Sequence, residues 1–156
     1  MAIEKVKAYF AKYGMEDRVL EFEVSSATVE LAAQALNTEP CRIAKSLTFA
    51  GGEGPILVVA AGDARVDNQK FKAAFGLKAK MLSFNEVETQ IGHAVGGLCP
   101  FAVNEGVRVY LDESLKRFDT VFPACGSSNS AIELTIVELE TYSGYIGWVD
   151  VCRATV

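Results

Sequence analysis

The chain has 156 residues, a length that suits one domain around one core, residues 1–156. Half of the residues are hydrophobic and 22% are charged, which is ordinary for a folded protein, and no window is both long and apolar enough to span a bilayer. The net charge of −5 argues against strong nonspecific binding to DNA or to a long stretch of RNA, but leaves room for a local basic surface to recognise a short nucleic-acid end.

The opening residues, Met1 to Lys7, hold no basic stretch leading into an apolar core, so no signal peptide is expected and the expected location is cytoplasmic. Ile3, Val6, Phe10 and Tyr13 recur at helical spacing. Leu20, Phe22 and Val24 alternate with Glu21 and Glu23, the pattern of a strand with one wet face. Thr28 is placed to cap a helix whose stripe is Val29, Ala32, Ala33 and Leu36. Leu47 and Phe49 open a strand that runs into the Gly51–Pro55 turn, and the unbroken apolar run Ile56 to Ala61 predicts a central buried strand. Asp67 is a cap for a helix carrying Phe71 and Phe75 and closed by Gly76. A short strand over 79–82 is followed by the capping-box pattern Ser83 to Glu86, which opens a helix burying Val87 and Ile91 and stopped by Gly92.

Residues 92 to 106 contain four glycines, one proline and no period, and predict a loop of functional length. Strands follow at Val107–Leu111, at Val121–Phe122 and at Ile132–Leu134, the last after a polar turn from Gly126 to Ser130. A helix over 136–143, stopped by Gly144, precedes a last strand over 145–151. Strands that follow one another directly disfavour a pure βαβ sheet. The expected class is α+β, with a central mixed, barrel-like sheet flanked by helices.

Cys41, Cys99, Cys125 and Cys152 form no C-x-x-C pair and are expected to be free thiols. With His93 as the only histidine, no zinc site is expected. Lys45 shares a strand face with Leu47 and Phe49, so it either points inward toward a partner or ligand, or lies outside the strand with its amine in water. The glycines of Gly96-Gly97-Leu98-Cys99-Pro100 let backbone N–H groups approach a carbonyl or oxyanion, or make an ordinary loop. Gly126-Ser127-Ser128 offers hydroxyls without a nucleophile elbow. His93 could act as a general base or cap the preceding helix, and Cys99 as a thiol nucleophile. Lys70, Lys72, Lys78 and Lys80 form either a basic contact surface or a solvated face.

Arg42-Ile43-Ala44-Lys45-Ser46-Leu47 after an alanine-rich helix, followed by the apolar strand, the Phe/Lys helix and Gly96-x-x-x-Pro100, resembles the YbaK/prolyl-tRNA synthetase-associated (ProX-like) editing domain family over essentially the whole chain. The resemblance implies a trans-editing aminoacyl-tRNA hydrolase that cleaves the ester between a wrong amino acid and the 3′ end of tRNA, with tRNA(Pro) the first carrier to consider. It implies no metal and no cofactor, and a synthetase as a possible delivery partner. Lys45 would hold the terminal adenosine's phosphate or position the substrate. Gly96 and Pro100 would frame the loop that holds the carbonyl, and Ser46, Gly97, Leu98, Cys99, Gly126, Ser127 and Ser128 would line the substrate pocket. The tRNA's own 2′-hydroxyl would assist, which suits a chain without a convincing triad or metal cluster. Leu98 points to a small amino acid. The competing reading is a non-catalytic module that binds a nucleotide or an aminoacyl compound.

Overall fold

The computed structural model describes residues 2–154. Helix α1 (Ala2–Ala11) buries Ile3, Val6 and Phe10, three of the positions its spacing singles out. Strand β1 (Val19–Glu21) is shorter than the alternation predicts. It pairs antiparallel with β7 (Ser130–Ile132) over only three positions, and Leu20 and Val24 face solvent. The pairing stops where β7 gives way to the 126–129 turn, whose Asn129 carbonyl still accepts from Phe22 N–H at 2.8 Å.

Helix α2 (Val29–Leu36) starts as expected, with Thr28 Oγ1 accepting from Leu31 N–H at 3.1 Å. Strands β2 (Ile43–Phe49) and β3 (Ile56–Ala61) form an antiparallel pair in which Lys45 lies opposite Ala60, and every residue of β3 is buried. A strand the sequence did not announce, β4 (Ala64–Val66), leads into α3 (Asn68–Phe75), which Asp67 caps by accepting from Gln69 and Lys70 N–H groups. The strand expected over 79–82 reduces to one antiparallel bridge between Met81 and Phe49 at the end of β2, flanked by the Ala50 N–H bond to the Lys80 carbonyl at 2.8 Å and the Leu82 N–H bond to the Thr48 carbonyl at 3.1 Å. Helix α4 (Phe84–Ile91) carries the full capping box of Ser83 and Glu86.

Residues 92–107 hold no helix or strand, as the glycine content predicts. Strands β5 (Arg108–Asp112), β6 (Thr120–Pro123), β7 and β8 (Leu134–Thr135) precede helix α5 (Ile136–Ser143), and β9 (Gly147–Val149) and β10 (Cys152–Ala154) close the chain. The expected last strand therefore splits in two. Asp112 Oδ1 accepts from Val151 N–H at 2.9 Å and bends the chain there, so β9 joins β5 and β10 crosses to β4.

Six strands form a mixed sheet in the order β8-β6-β2-β3-β5-β9, curled into a half-barrel with helices around it. Its core is aromatic on both sides. Phe71 of α3 tilts against Phe49 of β2 at 4.6 Å, and Phe10 of α1 meets Phe101 of the long loop edge-on at 4.8 Å. Each fully buried phenylalanine contributes roughly 1.5–3 kcal/mol of apolar burial, so the loop is anchored to the body at Phe101 and is not a free excursion. Among the described residues no helix is long and apolar enough to cross a membrane.

Candidate active site

Lys45 lies inside β2, not beyond its end, and is half-buried. Its side chain does not escape to water. Nζ donates to the carbonyls of Gly62, at 3.3 Å, and Ala64. Those carbonyls flank the β3–β4 turn, and the turn depends on Gly62, since a Cβ there would fall 2.0 Å from the Pro40 carbonyl oxygen. Two of the ammonium's three donors are thus held by backbone, and one remains for a ligand. Burial pushes the Lys45 pKa down, against the opposing influence of Cys152 and Asp63.

A cleft of about 210 Å³ opens beside this amine, between β2, the start of α2 and the long loop. Thr28, Lys45, Ser46, Gly96, Leu98 and Phe122 are among its walls. The Ser46 hydroxyl is buried there and has no hydrogen-bond partner among the described residues, although a buried hydroxyl is normally satisfied. Gly96 adopts φ +100°, a left-handed conformation that glycine takes without cost.

The remaining predicted residues are sorted by the fold. Gly97 presses on the turn behind it: a Cβ would meet Ser127 N at 2.6 Å and Gly126 C at 2.7 Å. Gly126 in turn lies against the start of α1, with a Cβ position 2.9 Å from the Ala2 backbone. Three backbones therefore stack through two glycines and fix the loop's height above the cleft. Gly97, Gly126, Ser127 and Ser128 border a separate cavity of about 590 Å³ on the far side of the loop, together with Lys5 and Gly92. Ser127 Oγ is engaged locally, 2.7 Å from Ser130 Oγ and 2.9 Å from Asn129 Oδ1.

Cys99 and Pro100 are buried beneath the loop and do not line the cleft. Burial pushes the Cys99 thiol up to about 12, so it is no thiolate at neutral pH. His93 is fully buried as well. Its Nε2 lies 2.7 Å from the Phe101 carbonyl, which can only accept, so Nε2 carries the proton and Nδ1 has no partner among the described residues. Burial lowers the His93 pKa and keeps the ring neutral. Neither expected role fits it: it does not reach the cleft, and the α4 C-terminus is satisfied by Asn104, whose Nδ2 donates to the Thr89 carbonyl at 3.1 Å. His93 instead ties the two ends of the 93–101 segment together.

Lys70, Lys72, Lys78 and Lys80 are exposed and none borders the cleft. Sequence reasoning missed the opposite wall, where Ser26, Ala27, Ala124 and Ser130 stand; the cluster of small residues around Thr28 was the available signal. No three His, Cys, Asp or Glu side chains gather as a metal-binding set among the described residues.

Residues 23–142 match the aminoacyl-tRNA editing domain family. The chain belongs to that family. The editing-domain match contains β2 with Lys45 and the whole loop around Gly96, and leaves out α1, β1, β9 and β10. An uncharacterized protein of Bacillus subtilis (strain 168), YwhH, is 55% identical over 154 residues and covers 98% of both chains. A proline–tRNA ligase of Bacillus cytotoxicus is 26% identical over 138 residues, 86% of this chain but 24% of the ligase. A crystal structure described as that of a candidate trans-editing enzyme for prolyl tRNA synthetase superposes with a TM-score of 0.87 at 29% identity, covering 98% of each chain.

Proposed function

We propose that this editing-domain protein is a trans-acting aminoacyl-tRNA deacylase that removes a small, wrongly attached amino acid, with tRNA(Pro) the favoured carrier and a synthetase a candidate partner for delivery. Residues 1–156 act as one editing domain in this reading. The observation that carries it is the cleft itself. The half-buried Lys45 amine, the unpartnered Ser46 hydroxyl and the Gly96 loop meet there, and no cysteine, histidine or carboxylate side chain stands in its wall among the described residues.

Ester hydrolysis in such a site requires positioning and charge stabilisation more than a protein nucleophile. Water oxygen bonds to the ester carbonyl carbon, the bond to the ribose 3′-oxygen breaks, and that oxygen leaves with a proton. The tRNA's neighbouring 2′-hydroxyl is the group placed to relay it. Lys45 uses its remaining donor to hold a phosphate or the terminal adenosine. Gly96 and Leu98, the residues of the Gly96–Pro100 loop that line the cleft, present backbone amide groups to the carbonyl as negative charge develops. Ser46 offers a hydrogen bond to the bound aminoacyl end. The small cleft and its alanine-rich walls favour a small side chain. Selection by exclusion needs such a second site, since binding separates side chains differing by one methylene by only about 1–3 kcal/mol.

The test is a panel of tRNA(Pro) charged with alanine, cysteine or serine. At least one ester should be hydrolysed by the wild type. Binding of the charged tRNAs with hydrolysis of none would favour the non-catalytic module.

A further inference from the structure

The short ladder of β4 and β10 carries an arrangement that folding alone does not favour. Arg65 and Arg153 lie directly opposite each other in the antiparallel register, and both are exposed. Like charges at directly opposed positions destabilise a strand pair. Neither guanidinium is joined to a carboxylate among the described residues, although the chain carries a net charge of −5.

Carboxylates stand nearby and each is occupied. Asp150 pairs with Lys70 at 3.1 Å, Glu113 with Lys116 at 2.6 Å, and Asp63 with Arg117 at 2.5 Å. Asp112 accepts from the Ser114 and Val151 N–H groups. Two arginines without an ion pair among the described residues therefore face solvent side by side, Arg153 on the rim of a hollow that Asp112, Glu113 and Asp150 also border.

A trough of about 270 Å³ runs beside Arg65, whereas Arg153, its neighbour across the ladder, borders that separate hollow. Leu47, Val66, Ala79 and Met81 give the trough an apolar lining, and Met81 is 60% exposed. Lys45 borders both this trough and the cleft, and Arg65 borders the trough. Lys45 thus joins the cleft to the apolar trough, and Arg65 stands in the trough's wall with Arg153 opposite it in the ladder. A single-stranded nucleic acid has the complementary chemistry: a base with apolar faces alternating with a phosphate.

We propose that the trough, with Arg65 and Arg153, docks the single-stranded 3′ end of the tRNA, so that the nucleotide before the terminal adenosine lies against Met81 and its phosphates face the two arginines. This rests on the deacylase reading of the cleft and adds the direction from which the substrate enters. It also accounts for an acidic protein acting on tRNA, since the footprint is a few nucleotides and not a helical stem.

The experiment measures binding of a fluorescent single-stranded RNA hexamer ending in CCA across a salt series, and KM for mischarged tRNA, with Arg65→Gln, Arg153→Gln, Arg65→Lys and Met81→Ser. Each Arg→Gln change should weaken hexamer binding several-fold and flatten the plot of log affinity against log salt by about 0.7 for each phosphate no longer neutralised. Arg65→Lys should keep the slope, and Met81→Ser should weaken binding with the slope unchanged. KM for tRNA should rise in both Arg→Gln variants with kcat retained. Arg153→Gln should also melt higher than the wild type, because it relieves the opposed charges. The proposal is overturned if the wild type does not bind the hexamer at low salt, or if both Arg→Gln variants bind it with wild-type affinity and slope. Deacylation by the wild type in that case leaves the function of the cleft standing. Arginine-dependent hexamer binding by a wild type that deacylates nothing supports the docking surface and removes the deacylase reading.

Discussion

Gly97→Ala probes the joint that holds the loop over the cleft. An added Cβ would stand 2.6 Å from Ser127 N, 2.7 Å from Gly126 C and 2.8 Å from Ser127 Cα, all backbone atoms, where ordinary contact begins at 3.4 Å. The loop and the turn must then part by about 0.8 Å, a distance no side-chain rotation can absorb. Overpacking of this kind costs about 1–3 kcal/mol. In a domain of this size each kcal/mol lowers Tm by roughly 2–4 °C, so a drop of about 2–12 °C is expected. The functional effect should be larger than the structural one, because a displacement near 1 Å of a positioning loop costs up to about a hundredfold in rate. Thermal melting and single-turnover deacylation read the two effects. Gly52→Ala is the control: nothing lies within 4 Å of its added Cβ and its φ is not left-handed, so its melting should match or slightly exceed the wild type. Gly97→Ala melting and deacylating like Gly52→Ala would refute the stacked-backbone account of the loop.

Three further outcomes are expected. Cys99→Ala should retain deacylation while losing about 1–2 kcal/mol of stability through the small cavity it leaves; loss of activity in a well-folded variant would restore the thiol as a catalyst. His93→Phe should lower stability by about 1–3 kcal/mol, the range for a buried carbonyl left without its donor, and it should increase proteolytic cleavage within 94–100; unchanged melting and cleavage would contradict the clamp on Phe101. Arg18 hydrogen-bonds Glu138 and holds its carboxyl at about 2, below its ordinary 4.5. A depressed carboxylate pKa contributes stability that is present above the unfolded value and lost as pH falls through the folded one. The melting difference between wild type and Arg18→Ala should therefore be constant at pH values well above 4.5 and shrink as the pH falls toward about 2; a difference that grows on acidification would reverse the assignment.

Much of the fold was legible because its signals are local. Thr28, Asp67 and the Ser83–Glu86 box bond to backbone within three residues, and Gly76, Gly92 and Gly144 end their helices in the left-handed conformation, so each announces a helix boundary by itself. The run Ile56–Ala61 is apolar at every position because both faces of β3 are covered. The ladder of β4 and β10 was not legible, since two three-residue strands more than eighty positions apart leave no periodicity. In the site, Lys45 points inward because β2 begins two residues before it, which places the lysine within the strand. The glycine pattern marked the loop, yet could not say which glycine faces the cleft. That division between Gly96 and Gly97 follows from the packing of the turn at 126–128 and the start of α1, both remote in sequence. The Ser46 hydroxyl had no sequence signal as a ligand group beyond its place next to Lys45.

The central claim is that the Lys45 amine holds the substrate for hydrolysis in the cleft it borders. The most direct measurement is single-turnover release of the amino acid from mischarged tRNA(Pro) by wild type, Lys45→Ala and Lys45→Arg, with folding verified by melting. Lys45→Ala should be slower by about a hundredfold or more, as expected when a substrate is no longer held in place, and Lys45→Arg should recover part of that rate by keeping the charge. Full activity in a folded Lys45→Ala variant would contradict the account.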